Sequence, residues 1–105
     1  MFTDSGIEKI EDFECKTVVD ASGMFSNNSS LKSVGSLSLE HATQAYNIFR
    51  SCGNLEEVGE LLLPAAIGLK SLFSLCGSLK MIGTLDVSNA RSGSMESMFS
   101  ETNSL

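Results

Sequence analysis

One feature constrains this chain more than any other: it repeats itself. The segments Met24-Phe25-Ser26-Asn27-Asn28-Ser29-Ser30-Leu31, Ile48-Phe49-Arg50-Ser51-Cys52-Gly53-Asn54-Leu55, Leu72-Phe73-Ser74-Leu75-Cys76-Gly77-Ser78-Leu79 and Met98-Phe99-Ser100-Glu101-Thr102-Asn103-Ser104-Leu105 are copies, starting 24, 24 and 26 residues apart. A fixed period of this size is the mark of a solenoid, in which each unit buries its apolar face only against its neighbours. Allowing one deleted residue, the first part of the chain is another copy. Met1-Phe2 matches Met24-Phe25, Ile7 matches Leu31, Ile10 matches Val34, Phe13 matches Leu37, Cys15 matches Leu39 and Ala21 matches Ala45. The 105 residues form a single domain of repeats over about 1–23, 24–47, 48–71 and 72–97, with a partial repeat at 98–105.

Within the repeat, Leu31, Val34, Leu37 and Leu39 are the apolar slots, refilled by Leu55, Val58, Leu61 and Leu63 and by Leu79, Ile82, Leu85 and Val87. The alternation Leu37-Ser38-Leu39 suits a short half-buried strand. Ala42, Ala45, Ile48 and Phe49 follow at spacings of three, three and one, which predicts a helical or 3-10 turn on the opposite edge. Phe2, Phe25, Phe49, Phe73 and Phe99 share one slot and predict an aromatic ladder, with the Met1, Met24, Ile48, Leu72 and Met98 column beside it. Gly35, Gly59 and Gly83 recur after the Val34 slot, which calls for either a close backbone approach or a positive φ. Pro64 falls just after a strand, where a missing N–H does little harm. Two extra residues enter the fourth repeat around Asn89-Ala90-Arg91-Ser92-Gly93.

Hydrophobic residues are 42% of the chain and charged residues 19%, which is globular rather than disordered. The net charge of −6 opposes a nucleic-acid backbone or an anionic membrane surface. No apolar run approaches the roughly 18 residues of a membrane-spanning helix, so no membrane insertion is expected. The N-terminus shows neither the basic nor the apolar stretch of a secretory signal. Much of the charge sits in the first repeat (Asp4, Glu8, Lys9, Glu11, Asp12, Glu14, Lys16 and Asp20), which reads as a polar end-cap or as a solvated face.

There are three cysteines and no CxxC. Cys52 and Cys76 share a slot with Asn28 and Thr102, so the slot wants a small, partly polar group. A ladder of buried side chains fits best, and a Cys52–Cys76 disulfide requires closely stacked repeats. His41 is the only histidine, so any Ser-His or Cys-His mechanism would hang on a turn residue. Asp12 with Glu14, or Asp86 with Glu60, would have to supply a carboxylate pair without a recurrent acidic slot. No phosphate-binding, dinucleotide or His-x-x-x-His motif occurs, nor EF-hand or RTX spacing. An enzyme is therefore not expected, and no catalytic, cofactor or metal site.

The pattern Met-Phe-x-x-Cys-x-x-Leu-x-x-Val-Gly-x-Leu-x-Leu resembles the BspA-like branch of the leucine-rich repeats. Ser94-Met95-Glu96-Ser97-Met98-Phe99 is similar to that branch's closing segment, and Leu85-Asp86-Val87-Ser88-Asn89 to its Leu-Asp-Leu-Ser strand. The first repeat departs from it in both the Cys slot and that strand. The resemblance implies an α/β leucine-rich-repeat solenoid, right-handed, with a short parallel β-sheet on one face and short helical or 3-10 turns on the other. It also implies a non-enzymatic module. Such repeats occur in bacterial surface proteins that bind host proteins or other cells, in bacteriophage tail and fibre proteins, and in some protist surface proteins.

Binding would then use the outward residues between the buried leucines. Two columns are the candidates, Asp12, Ser36, Glu60 and Thr84, then Glu14, Ser38, Leu62 and Asp86; Lys16, Glu40, Pro64 and Ser88 form a third. Leu62, apolar in a polar column, is the position most expected to touch a partner. The expected function is protein or glycan recognition at an extracellular or cell surface. The alternative is a structural subunit of a bacteriophage virion, docking onto other subunits through the solenoid ends.

Overall fold

The computed structural model describes residues 5–90 and residue 102. Four parallel strands stand side by side in sequence order: β1 (Lys9–Glu14), β2 (Ser33–Ser38), β3 (Glu57–Leu62) and β4 (Met81–Asp86). The register follows the repeat. Ile10, Val34, Val58 and Ile82 lie opposite one another, as do Phe13, Leu37, Leu61 and Leu85. The chain is thus a parallel β-solenoid with one strand per coil, and its core lies between the sheet and the turn-rich edge across from it. Val58, Leu61, Leu63, Leu55 and Leu69 are fully buried. Each such side chain contributes roughly 1.5–3 kcal/mol on leaving water.

The glycine row has a steric cause. Val34 and Leu37 both face the core although two residues separate them, so the strand does not alternate simply. Of those two, Gly35 drops out of the ladder, and the pairing with β1 resumes at Ser36. A Cβ on Gly35 would be driven into the carbonyl oxygen of Glu11, one on Gly59 into that of Gly35, and one on Gly83 into that of Gly59. Close approach, not left-handed backbone, explains the row, because the only positive-φ glycines among the described residues are Gly6 and Gly23.

The predicted helical or 3-10 edge is not there. No helix occurs among the described residues, and residues 21–28, 45–52 and 69–76 are chains of turns. Their backbone hydrogen bonds show why. The N–H groups of Ala21, Gly23, Phe25 and Asn27 donate to the carbonyls of Gln44, Tyr46, Ile48 and Arg50 in the next coil. Ala45, Asn47, Phe49 and Ser51 repeat this onto Gly68, Lys70, Leu72 and Ser74. Every second donor therefore leaves the segment, whereas a helix needs each N–H bonded four residues back within it. The donors between close tight turns, as Met24 does on Ala21 and Arg50 on Asn47. These turns return side chains to the core about every third residue, which imitates a helical period.

Two left-handed residues per coil make the turns. Gly23, Asn47 and Ser71 hold one slot and Asn27, Ser51 and Leu75 the other, with φ between 57° and 70°. Asparagine and glycine adopt this conformation readily; a leucine does not. Leu75, at φ 64° and 36% exposed, has neither the conformational preference nor full burial to favour it. Leu75→Asn is expected to raise stability by about 0.5–1 kcal/mol, seen as a melting temperature a few degrees higher. An unchanged or lower value would mean that the leucine's contacts outweigh the strain.

The aromatic ladder is present. Phe25 and Phe49 stack with centroids 5.8 Å apart and planes 8° apart, and Phe49 and Phe73 at 5.5 Å and 6°. Phe13 closes the stack edge-on against Phe25 at 5.9 Å. Phe2, Phe99, Met1, Met98, the stub at 98–105 apart from Thr102, and residues 91–93 of the insertion region lie outside the described residues.

The polar slot next to that ladder is a hydrogen-bonded row. The Cys52 thiol donates to the Phe25 carbonyl at 3.2 Å and the Cys76 thiol to the Phe49 carbonyl at 3.0 Å. Asn28 donates to the same Phe25 oxygen at 2.8 Å and accepts from the Ser5 amide at 2.9 Å and hydroxyl at 3.0 Å. Both thiols are free and buried. Burial pushes Cys52 up to about 11, and burial with the neighbouring Cys52 thiol pushes Cys76 up to about 12.

Those thiols tie stability to pH. Their native pKa values are raised, so the folded chain holds the protons more tightly than the unfolded one. The contribution is complete below the ordinary thiol value of 9.0 and is lost as pH climbs through about 11 and about 12. Between pH 9 and 11 the unfolding free energy is expected to fall by on the order of a few kcal/mol from this source. A Cys52→Ser, Cys76→Ser chain, whose hydroxyls do not titrate, should show a distinctly flatter alkaline limb in urea titrations. Parallel limbs would refute the assignment.

Candidate recognition face

The strand register builds the outward face directly. Asp12, Ser36, Glu60 and Thr84 fall in one row across the four strands, and Glu14, Ser38, Leu62 and Asp86 in a second row two residues further along. With neighbouring strands about 4.8 Å apart, each row spans roughly 15 Å. The sheet thus brings all eight residues together. Asp12, Glu14, Glu60 and Thr84 are exposed, and Ser36, Ser38, Leu62 and Asp86 half-buried. Leu62 is flanked in its row by Ser38 and Asp86.

Within the two rows, no carboxylate stands directly opposite another across neighbouring strands. Glu60 stands opposite Thr84, and Asp86 opposite Leu62. Asp86 instead accepts a hydrogen bond from the Ser88 amide at 3.2 Å, which turns the chain away from β4. Glu14 lies 3.6 Å from Lys16, and Glu11 3.6 Å from Lys9, in ion pairs that remain largely exposed. Pairs of that kind contribute at most about 1 kcal/mol. Among the described residues, no group of three His, Cys, Asp or Glu side chains is placed to hold a metal ion. His41 is an exposed turn residue.

Sequence reasoning missed a second surface feature. A groove of about 280 Å³ crosses the sheet, lined by Lys9, Ser33, Val34, Gly35, Glu57 and Gly59. None of the eight named residues lines it. It exists because Gly35 and Gly59 leave the backbone bare beside the side chains of Lys9, Ser33 and Glu57. The recurring Gly35 and Gly59 were the available signal: a missing Cβ at the same slot of adjacent strands makes a furrow.

Cys15 differs from the two buried thiols. It is half-buried just past β1, its sulfur 3.4 Å from the Thr17 hydroxyl. Hydrogen bonds from the Thr17 side chain and backbone hold its pKa below the ordinary value.

No helix among the described residues is long and apolar enough to cross a membrane. Compared with protein-family models, with curated proteins and with solved structures, the chain matches none of them.

Proposed function

We propose that this solenoid is a non-enzymatic recognition module of a surface-exposed protein, binding protein or glycan through the outward face of its sheet. One observation carries the reading. The two outward rows change chemistry from coil to coil, from Asp to Ser to Glu to Thr and from Glu to Ser to Leu to Asp, while the inward rows stay aliphatic or aromatic. Rigid strands hold these differing groups at fixed spacings, which is what selective contact requires. Leu62 supplies an apolar centre within a polar surround, the arrangement in which a few residues dominate affinity.

The test is a screen of the full chain against a glycan array and a displayed random-peptide library. Ligands recovered with the native chain should lose at least tenfold affinity for Leu62→Asp, about 1.4 kcal/mol or more. They should be indifferent to Lys70→Ala on the turn edge. Ligands that ignore Leu62→Asp, Glu60→Ala and Asp12→Ala alike would remove the strand face from consideration.

A further inference from the structure

Close packing explains why Gly35 and Gly59 are glycine. It does not explain the side chains that stand beside them. Lys9, Ser33 and Glu57 share one row across β1, β2 and β3. With Val34 and the two glycines they line the groove of about 280 Å³. Met81, next in that row, does not line it, and neither does Gly83. The groove is thus confined to three strands and does not run the length of the glycine row.

Its lining selects among ligands. Val34 supplies the only apolar side chain and is 2% exposed, so a fatty or aromatic group would gain little there. β2 already has a strand on each side, so an extended peptide finds no free edge to pair with. Lys9 and Glu57 stand two strand spacings apart, roughly 10 Å, and carry opposite charges. A singly charged ligand attracted by one is opposed by the other. Lys9 is also 3.6 Å from Glu11, which offsets its charge. Hydrogen bonding of both kinds remains: the Lys9 ammonium donates, the Glu57 carboxylate accepts and the Ser33 hydroxyl does either. A neutral polyhydroxylated ring matches that set. Its hydroxyls donate and accept around the rim, and its C–H face can lie flat where no Cβ rises.

We propose that this furrow is a subsite for one neutral sugar residue of a glycan, floored by Gly35 and Gly59 and hydrogen-bonded by Lys9, Ser33 and Glu57. The subsite depends on the outward face being the recognition surface, and it gives that surface a ligand class and an anchoring point. The groove's 280 Å³ falls just short of the roughly 300–1,000 Å³ of sites that enclose drug-sized ligands. It suits a single ring, with the rest of the glycan continuing along β3 over Glu60 towards Leu62.

The probe is a panel of soluble neutral, sialylated and sulfated oligosaccharides, titrated into the full isotope-labelled chain and followed by amide shifts. Saturable binding is expected for members of the neutral set, with shifts centred on Ser33–Gly35 and Glu57–Gly59. Raising the salt should not weaken it. Glu57→Ala should weaken it by about tenfold and Ser33→Ala by about threefold or more. Neither side chain is buried, and urea midpoints matching the native chain separate lost contacts from lost folding. Binding that favours the charged oligosaccharides, falls with salt or ignores both variants would overturn the furrow, while Leu62→Asp decides the fate of the face separately. No saturable binding by any member of the panel would also overturn it, and the face would then rest on its peptide ligands. Neutral binding lost on Glu57→Ala but unmoved by Leu62→Asp would keep the furrow and remove the row around Leu62.

Discussion

Gly59→Ala is expected to lower the stability of this chain by about 3–5 kcal/mol, a large share of the roughly 5–15 kcal/mol that holds a domain together. The added Cβ meets the Gly35 carbonyl, which is backbone and cannot swing aside. Relief requires β2 and β3 to part, and that breaks the ladder joining Val34 to Val58 and Leu37 to Leu61. The measurement is the urea midpoint against Gly53→Ala. At Gly53 a Cβ meets nothing within 4 Å and the backbone is not left-handed. That control should be neutral or slightly stabilising, since alanine narrows the unfolded ensemble. Equal midpoints for the two variants would refute the close-approach account of the glycine row.

Phe49→Ala should cost about 3–5 kcal/mol for a different reason. The ring is fully buried between Phe25 and Phe73 and stacked on both. Its removal leaves a cavity in the middle of the solenoid and breaks two aromatic contacts at once, each worth about 0.5–1.5 kcal/mol beyond burial. The stacked coils are tied by backbone bonds on both edges, so the gap cannot close by a local shift. Phe49→Leu should recover a good part of the loss, because it refills volume without restoring the stack. Equilibrium denaturation of the two variants separates the cavity from the stacking. A loss below about 1 kcal/mol for Phe49→Ala would mean that the coils collapse into the space after all.

The face and the groove were unequally legible for a physical reason. Asp12, Ser36, Glu60 and Thr84 could be aligned from the repeat alone, since in-register stacking turns equal positions into a row. The groove was harder to read, because a furrow is made by absent side chains: the repeat places Gly35 beside Gly59, but only the structure shows that the space above them stays open. The turn edge misled for a related reason. Ala42, Ala45, Ile48 and Phe49 face inward at spacings that a helix would also produce. The residues that spoke against a helix were Gly23, Asn47 and Asn27, Ser51, small or left-handed-tolerant residues in matching slots on either side of the Met-Phe pair.

What the sequence by itself determined is which side chains are buried and which coil stacks on which. Burial follows from apolarity, and a repeated slot must stack on its own copy, so Phe25, Phe49 and Phe73 could scarcely do otherwise. Only the tertiary structure decided the backbone between those slots. Whether the Phe25 amide bonds four residues back or donates to Ile48, 23 residues ahead, depends on a neighbouring coil that must already be in place. The same neighbour decided that the glycine row answers to a carbonyl on the adjacent strand and not to a left-handed φ.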